Sequence, residues 1–255
     1  MSNISNTLFI GKVRLHYKSL NSTNLAAQKL LSQENKPLEG TTIVAEVQTD
    51  GKGQRGNSWG SPLGENLLSS FMLYPKHLLP RHQFTLNILA SLAVLDVLHK
   101  LNIADACVKW PNDIYIKDKK VAGILIQNNV GSHAISASVI GIGINVNQTS
   151  FSEQLTNPTS IQFATGNEID KEQILADLCY FLEKRYLQSK STTGLKTLRM
   201  NYLSNMFRYQ ENAPFLIEGI PTIGMIRGID ELGKLQLQID GQIRIFDLQE
   251  VRFVV

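Results

Sequence analysis

The sequence predicts an α/β protein, with a mixed β-sheet flanked by helices and a small C-terminal β-barrel. Three observations support this fold class. Strand-like apolar runs alternate with helical patterns up to about residue 210. One helical pattern, Gln83 to Leu101, is apolar enough to pack across a sheet. Beyond residue 210, five short β-like runs separated by turns replace that alternation, which is typical of small barrels. We therefore expect two domains, residues 1–210 and residues 211–255.

Composition and charge exclude several classes of protein. With 43% hydrophobic and 18% charged residues the chain is globular, and a net charge of +3, spread along the sequence, does not indicate a DNA-binding protein. The longest apolar stretch, Leu86 to Leu98, is too short to span a membrane. The N-terminus lacks the pattern of a signal peptide. Cys107 and Cys179 form no CxxC motif, so a reduced, cytoplasmic location is expected.

The first strand and helix are separated by a polar turn. Val13 to Ser19 alternates between apolar and polar side chains, as a strand does, and a helical pattern begins at Leu25. Between them lies the polar turn Ser22-Thr23-Asn24. Ser22 or Thr23 can simply cap the helix. Alternatively, the three small polar side chains can hydrogen-bond a compact polar ligand group, and both interpretations stay open.

A glycine-rich loop, Asp50 to Pro62, follows a strand predicted over Thr41 to Val47. It reads DGKGQRGNSWGSP, and its opening matches GxGxxG. Glycines allow backbone N–H groups to approach a phosphate closely, and Lys52 and Arg55 add positive charge there. The loop is therefore a candidate anion-binding segment, with an ordinary mobile hairpin loop as the alternative.

The GxGxxG match does not predict a dinucleotide site. That site needs a helix that begins at the third glycine and a carboxylate about 20 residues further on. Here helix-breaking residues follow, ending in Pro62, and no carboxylate lies near Lys76. A P-loop is excluded because Asn57 stands where its lysine should be. We expect the loop to connect two strands, the second over Asn66 to Tyr74.

A polar break separates two short strands in the segment CVKWPNDIYI, Cys107 to Ile116. Pro111 cannot continue a central strand. The Lys, Asn and Asp at this break form either a tight turn or a polar cluster facing a cleft. A hairpin turn follows and ends at Lys120, where the buried strand Val121 to Ile126 begins.

Glycines inside the later strands indicate close approach of a ligand or of another backbone. Gly123 lies in one of these strands, and Gly141 and Gly143 lie in the strand Ala134 to Val146, with Asn145 on the same face. Packing against a neighbouring aromatic ring is the alternative. Two further helices are expected as structural elements, over residues 170–188 and 193–208.

These motifs together resemble the biotin–protein ligases. The glycine loop of that family, commonly GRGRRGRxW, appears here as GKGQRGNSW, and its KWPNDxY…K-x-AGIL block appears as KWPNDIYIKDKKVAGIL. Ser22 to Asn24 corresponds to the STN turn of the family, and Gly141 to Asn145 to its GIGIN strand. Order and spacing agree over about Ser19 to Asn147.

The resemblance implies a reaction in two steps. Biotin and MgATP give biotinyl-5′-AMP and pyrophosphate, and the adenylate then acylates a lysine on the biotin carboxyl carrier domain of a carboxylase such as acetyl-CoA carboxylase. It also implies a catalytic core like that of class II aminoacyl-tRNA synthetases, with the small barrel as the usual final domain. ATP and Mg²⁺ are the implied cofactors, and a monomer or a homodimer is compatible with the sequence.

The resemblance implies roles for individual residues and leaves the metal ligands unspecified. The implied biotin-binding residues are Ser22, Thr23, Asn24, Gln48, Lys52, Gly53, Gln54, Lys120 and Gly123. The implied nucleotide-binding residues are Gly51, Trp59, Asn112 and Asn145. The candidate catalytic residues are the cations Lys120, Lys52, Arg55 and Lys109, which would stabilise charge at the α-phosphate, and Asp113, which would help the acceptor amine lose its proton.

Two positions depart from the family pattern. Lys52 and Gln54 stand where many members have arginine. Lys52 keeps the positive charge but cannot make the bidentate contact of an arginine, and Gln54 carries no charge. The first core strand begins near Val13, from which we expect no helix-turn-helix domain and no binding to operator DNA. Two alternatives stay open: a lipoate or octanoate ligase or transferase of the same fold, and a non-catalytic relative that binds a metabolite.

Overall fold

The computed structural model of the chain describes residues 6–254, except for the side chain of Arg55. The strands of the larger sheet are β1 (Arg14–Tyr17), β2 (Thr42–Ala45), β3 (Leu67–Leu73), β4 (Ala106–Lys109), β5 (Asp113–Ile116), β6 (Lys119–Val130) and β7 (Ile135–Ile144). Those of the smaller sheet are β8 (Asn212–Ile217), β9 (Ile220–Ile229), β10 (Leu235–Ile239), β11 (Gln242–Phe246) and β12 (Val251–Phe253). The helices are α1 (Thr23–Leu31), α2 (Phe84–Lys100), α3 (Ile161–Thr165), α4 (Lys171–Gln188) and α5 (Thr192–Ser204).

The larger sheet is mixed, as predicted. Its strand order is β1-β2-β3-β7-β6-β5-β4. β1 pairs parallel to β2, and the other pairs are antiparallel. β6 and β7 form the centre, and their register places Gly123 directly opposite Gly143.

The two faces of this sheet carry different partners because β7 alternates along its length. Ile140, Ile142 and Ile144 belong to the main apolar core, together with α2, of which most residues are buried. Ala137 and Val139 point to the opposite face and pack with α1 in a second cluster. Gly141 and Gly143 continue this second face without side chains, which leaves room beside α1.

Helix α5 is shorter than the sequence predicts. Its N-terminus is capped by the hydroxyl of Ser191, which accepts a hydrogen bond from the N–H of Gly194. The predicted end at residue 208 is wrong, because the chain leaves the helix at Ser204 and runs beside β4. Val108 N–H donates to Asn205 O, and Phe207 N–H donates to Val108 O, both at 2.8 Å. The backbone after α5 therefore covers the open edge of β4 instead of continuing the helix.

The C-terminal segment forms the five strands that the sequence predicts. They pair antiparallel in the order β11-β10-β9-β8-β12. This sheet packs against the first part of the chain through a continuous apolar cluster, and Trp110 Nε1 donates to Gly233 O at 2.8 Å. Closure of the five strands into a barrel stays a prediction, as does the domain division at residue 210, although β8 begins close by at Asn212.

Among residues 6–254, none of the helices has both the length and the apolar character that crossing a bilayer requires. Both cysteines are free thiols. Burial raises the pKa of the Cys107 thiol to about 11 and that of the Cys179 thiol to about 12. Neither thiol is ionised at neutral pH, so neither is a candidate nucleophile.

Candidate active site

A cavity of about 770 Å³ opens on the face of the larger sheet that carries α1. It lies between the start of α1, the glycine loop, the strands β5 to β7 and the C-terminal strand β12. The residues singled out from the sequence that line this pocket are Ser22, Thr23, Asn24, Gln48, Lys52, Gly53, Gln54, Trp59, Lys109, Asn112, Asp113, Lys120 and Gly123. Residues far apart in the chain are thus brought to one site.

Three predicted residues are not on the described wall of the pocket. Gly51 lies beneath the loop, where its backbone carbonyl accepts from Trp59 N–H at 2.8 Å. The Asn145 side chain points away from the pocket and donates to Thr159 O at 2.9 Å. The side chain of Arg55 lies outside the described part of the chain.

The start of α1 supplies hydroxyl groups to one end of the pocket. Ser22 is the N-cap residue in an extended conformation, but its hydroxyl makes no cap hydrogen bond, so the simple capping interpretation is wrong for this residue. Gln48 Oε1 accepts from Thr23 at two atoms, the backbone N–H at 2.7 Å and Oγ1 at 3.1 Å. Gln48 thereby fixes the first turn of α1, and Ser22 keeps its hydroxyl for the pocket.

Asn24 is held by protein groups on every side. Its Oδ1 accepts from the Ser70 hydroxyl at 2.6 Å, and its Nδ2 donates to Leu125 O at 3.0 Å and to Gln127 Oε1 at 3.3 Å. Its carboxamide lies flat on Gly141, where a Cβ atom would come within 2.1 Å of Oδ1. Asn24 therefore supports this end of the pocket, and Gly141 is required for its position.

The glycine loop is a short hairpin between β2 and β3. Lys52 pairs with Ser58 in an isolated antiparallel bridge, Gly53 N–H donates to Asn57 O at 2.7 Å, and one 3₁₀ turn spans Gln54–Gly56. No helix follows the third glycine, which confirms that the dinucleotide fingerprint does not apply. The ammonium of Lys52 is exposed and lies 2.7 Å from Asp50 Oδ2.

The indole of Trp59 lies on a floor made by two glycines. A Cβ on Gly123 would lie 2.8 Å from Cζ3 of Trp59, and a Cβ on Gly143 would lie 2.6 Å from its Cε2. The Trp59 Nε1–H is buried without a hydrogen-bond partner in the described structure. At Gly123 and Gly143 the structure therefore shows the alternative interpretation, packing against an aromatic ring, and that ring comes from the glycine loop.

The polar break between β4 and β5 faces the cleft. Lys109 and Asp113 are partners across the two strands, and both line the pocket. Lys120 Nζ lies 2.7 Å from Asp113 Oδ1, and Lys109 Nζ donates to the Tyr115 hydroxyl at 2.9 Å. Asn112 Nδ2 donates to Ile124 O, which fixes the break against β6. The segment is therefore both a tight turn between two paired strands and a polar cluster on the pocket wall.

Burial shifts the pKa of two of these groups, Lys109 and Tyr115. Desolvation lowers the pKa of Lys109, with Asp113 opposing this effect and Lys120 and Arg208 adding to it. Desolvation also raises the pKa of Tyr115, so its phenol stays protonated through the neutral range. This end of the pocket is rich in cations, with Asp113 as the one carboxylate on the described wall.

Several pocket residues were missed by the sequence analysis. Ser69 was taken as part of an apolar strand, and Tyr115 as an ordinary strand residue. The C-terminal segment was assigned no chemistry, yet β12 and the turn before it contribute the last group of wall residues, Leu248, Gln249, Val251, Arg252 and Phe253. The only sequence signal for Tyr115 is its place two residues after Asp113 on the same strand face, and for the C-terminal residues there is none.

Residues 17–145 match the family model described as "Biotin/lipoate A/B protein ligase family". This chain belongs to that family. The matched range includes the start of α1, the glycine loop, the KWPND break and the glycine strands, so most of the pocket wall lies within the part that defines the family, and its C-terminal residues lie outside that range.

Three relatives that match more than 90% of this chain carry ligase names, and two of those names specify biotin. The chain is 32% identical over 247 residues to the bifunctional ligase/repressor BirA of Bacillus subtilis, covering 93% of this chain and 73% of that protein. It is 30% identical to the biotin–[acetyl-CoA-carboxylase] ligase of Paracoccus denitrificans, covering 91% of this chain and 97% of that protein. The biotin protein ligase of Aquifex aeolicus, solved with biotin and ATP, superimposes with a TM-score of 0.78 at 27% identity, covering 95% of this chain and all of that one.

Proposed function

We propose that this chain is an ATP-dependent biotin–protein ligase that forms biotinyl-5′-AMP and transfers biotin to a lysine of a biotin carboxyl carrier domain. The observation that carries the proposal is the polarity of the pocket. Hydroxyl and amide groups of α1 stand at one end, lysines stand at the other, and the glycine floor joins them. Biotin has the same order of groups: a ureido ring, an apolar chain and a carboxylate.

The ring of biotin is assigned to the α1 end of the pocket. Ser22 and Thr23 present hydroxyls there, and Gln48 holds Thr23 in place. Asn24 shapes the same end through its own hydrogen bonds. A urea group offers both donors and an acceptor, and hydroxyl groups can satisfy either kind.

In the first step the carboxylate of biotin attacks the α-phosphorus of ATP. A new bond forms between a carboxylate oxygen and phosphorus, the bond to the bridging oxygen breaks, and pyrophosphate leaves with the electron pair. The carboxylate is ionised at neutral pH, so no base is required. Catalysis consists of holding two anions together and stabilising the charge at phosphorus, which we assign to Lys109, Lys120, Lys52 and Arg55.

The glycine loop and its surroundings are assigned to the carboxylate–phosphate junction and the nucleotide. Gly53 and Gln54 line the pocket beside Lys52, and Trp59 offers its ring to the nucleotide. Gly51 supports the loop beneath Trp59, and Asn145 anchors the segment before α3. We assign both to nucleotide binding through these contacts. Loop closure over the adenylate would shield a reactive anhydride from water.

Magnesium is proposed to enter with ATP. Among the described residues, no group of three or more His, Cys, Asp and Glu side chains is placed to hold a metal ion. Mg²⁺ on nucleotides is commonly held by one or two carboxylates together with phosphate oxygens, and Asp113 on the pocket wall fits that pattern. Asn112, whose amide nitrogen is engaged with Ile124 O, leaves its oxygen for the same purpose. When bound, the ion would neutralise phosphate charge.

In the second step the amine of the acceptor lysine attacks the acyl carbon of the adenylate. The carbon–nitrogen bond forms, the bond from carbon to the phosphate oxygen breaks, and AMP leaves. The amine must lose a proton, and we assign its acceptance to Asp113, which is held at 2.7 Å from Lys120. Normal transfer of biotin from preformed adenylate by the variant Asp113→Asn would exclude this role.

The partner and the location are part of the proposal. A carrier domain of acetyl-CoA carboxylase or a related carboxylase is the expected acceptor, and the name of the Paracoccus denitrificans relative supports it. The free thiols of Cys107 and Cys179 support a cytoplasmic setting. A homodimer stays a prediction.

The proposal is tested by biotin-dependent exchange between ATP and labelled pyrophosphate on the purified protein, with lipoate as the control substrate. Exchange with biotin alone, followed by mass-spectrometric detection of one added biotinyl group on a carrier domain, is the expected result. Exchange with lipoate alone would move the chain to the lipoate branch of its family. Binding of either acid without any exchange would identify a non-catalytic relative.

A further inference from the structure

Tyr115 is the most enclosed polar side chain at the cationic end of the pocket. It lies on β5, is 5% exposed, and lines the cavity. Its ring is tilted against Phe207, with centroids 5.9 Å apart. The register of β5 against β6 shifts between Ile114 and Tyr115, which places Tyr115 opposite Lys120. Such a bulge re-aims a side chain, and here it aims the phenol into the site.

The hydrogen bond from Lys109 fixes what the phenol can do. A protonated amine has three donors and no acceptor, so Lys109 Nζ can only donate to the Tyr115 oxygen, at 2.9 Å. The phenol keeps its own proton, which needs an acceptor elsewhere. Among residues 6–254, no group accepts it. A buried donor is normally satisfied, and the direction left open is the pocket.

Building on the proposed ligase function, we infer that Tyr115 is a catalytic hydrogen-bond donor that stabilises an α-phosphate oxygen during adenylate formation, with Lys109 as the residue that orients it. The two residues act as one unit. Lys109 occupies one lone pair of the phenol oxygen, and the proton then points at the ligand. A neutral donor suits this site because it adds stabilisation where charge builds up without adding another cation beside Lys120.

The surroundings of the pair support this role by geometry. The Tyr115 ring packs against Phe207, which holds the hydroxyl beside the ion pair of Asp113 and Lys120 on the pocket wall. The phenol proton is directed at the ligand by the hydrogen bond that Lys109 Nζ donates to the phenol oxygen, so removal of the Lys109 ammonium should also misdirect the phenol.

The conservative variant Tyr115→Phe keeps the ring against Phe207 and removes only the hydroxyl. We expect kcat for biotin-dependent pyrophosphate exchange to fall about 10- to 100-fold, the loss expected for one hydrogen bond to a charged group. The KM values for biotin and ATP should stay within about threefold, because the interaction strengthens as charge develops.

A matched control removes a buried phenol elsewhere. Tyr186 is 1% exposed and its hydroxyl donates to Glu39 Oε1 at 2.7 Å, but it is not part of the pocket wall. Tyr186→Phe should lower the urea midpoint while leaving kcat unchanged. The double variant of Tyr115→Phe and Lys109→Met should be no slower than the slower single variant, since residues acting as a unit are not additive.

Three results would overturn the inference. The first is a Tyr115→Phe enzyme with kcat within about twofold of the wild-type value. The second is a loss confined to KM, and the third is additive effects of the substitutions at Tyr115 and Lys109. Failure of the proposed function would give a different result, because the wild-type protein itself would then show no exchange with biotin. That result would remove the basis of the inference as well.

Discussion

Replacing Gly141 with alanine tests how the α1 end of the pocket is held. A Cβ at this position would lie 2.1 Å from Oδ1 of Asn24, 2.7 Å from its Cγ and 2.8 Å from its Nδ2. Contacts become ordinary only beyond 3.4 Å, so the carboxamide must retreat by more than 1 Å. A side chain that is 4% exposed has little space for that movement.

The cost follows from the hydrogen bonds that the retreat breaks. Asn24 accepts from Ser70 and donates to Leu125 O and Gln127 Oε1. Breaking two or three such bonds at about 1 kcal/mol each should lower the free energy of unfolding by about 2–3 kcal/mol. The Ser70 hydroxyl also lies 2.8 Å from Thr23 Oγ1, so the affinity for biotin should fall as well.

The assay is urea unfolding followed by circular dichroism, together with calorimetric titration of biotin. Gly60→Ala is the matched control, because a Cβ there meets no atom within 4 Å. In a double-mutant cycle, Gly141→Ala should cost much less in an Asn24→Ala background, where the obstructing carboxamide is gone. An unfolding free energy of Gly141→Ala within about 0.5 kcal/mol of wild type would refute this reasoning.

Three further predictions concern polar and charged residues. Arg252 lines the pocket and makes no ion pair in the described structure. The variant Arg252→Gln should raise the KM for ATP in pyrophosphate exchange about 5- to 10-fold. The control variant Arg227→Gln, on β9, should leave this KM unchanged. Gln54→Gly should increase escape of biotinyl-adenylate only about twofold, because no charge is lost; trapping with a generic amine measures it, and a large rise would show that Gln54 matters more. The hydrogen bond from Lys171 lowers the pKa of Glu46. The stabilisation that ionised Glu46 gives to the fold is therefore fully present above the ordinary pKa of 4.5 and is lost as the pH falls through the lowered pKa. Urea unfolding should therefore separate Glu46→Gln from wild type by up to about 1 kcal/mol at neutral pH, with the difference vanishing in acid.

Local patterns in the sequence were sufficient to predict the strands of the larger sheet and many of the residues that line the pocket. The alternation of isoleucine and glycine over Ile140 to Gly143 determines which face packs on α2 and which face stays open, and it is visible in the sequence. The KWPND break and the strand glycines were recognised for the same reason. In each case a proline or a glycine stands where a strand normally has another residue, and this departure is visible within a few residues of sequence.

The rest of the site depends on contacts that no local pattern encodes. Arg252 and Phe253 reach the pocket because the smaller sheet packs against the first part of the chain, more than 100 residues from the KWPND break. The extent of α5 was overestimated because Asn205 pairs with Val108 instead of continuing the helix. The orientation of Asn145 was also not predictable, since Thr159, whose carbonyl it contacts, lies in an irregular segment.

The placement of the two tryptophans makes the protein its own optical reporter. The sequence contains two tryptophans, Trp59 and Trp110. Trp110 is 5% exposed, its Nε1–H is bonded to Gly233 O and it lines the pocket, so its emission reports the packing between the two sheets and the state of the pocket wall. Trp59 belongs to the glycine loop, and its buried N–H has no partner in the described structure. A ligand-dependent change in emission that is lost in the variant Trp59→Phe belongs to Trp59, and loop closure can then be timed by stopped-flow fluorescence without an added label.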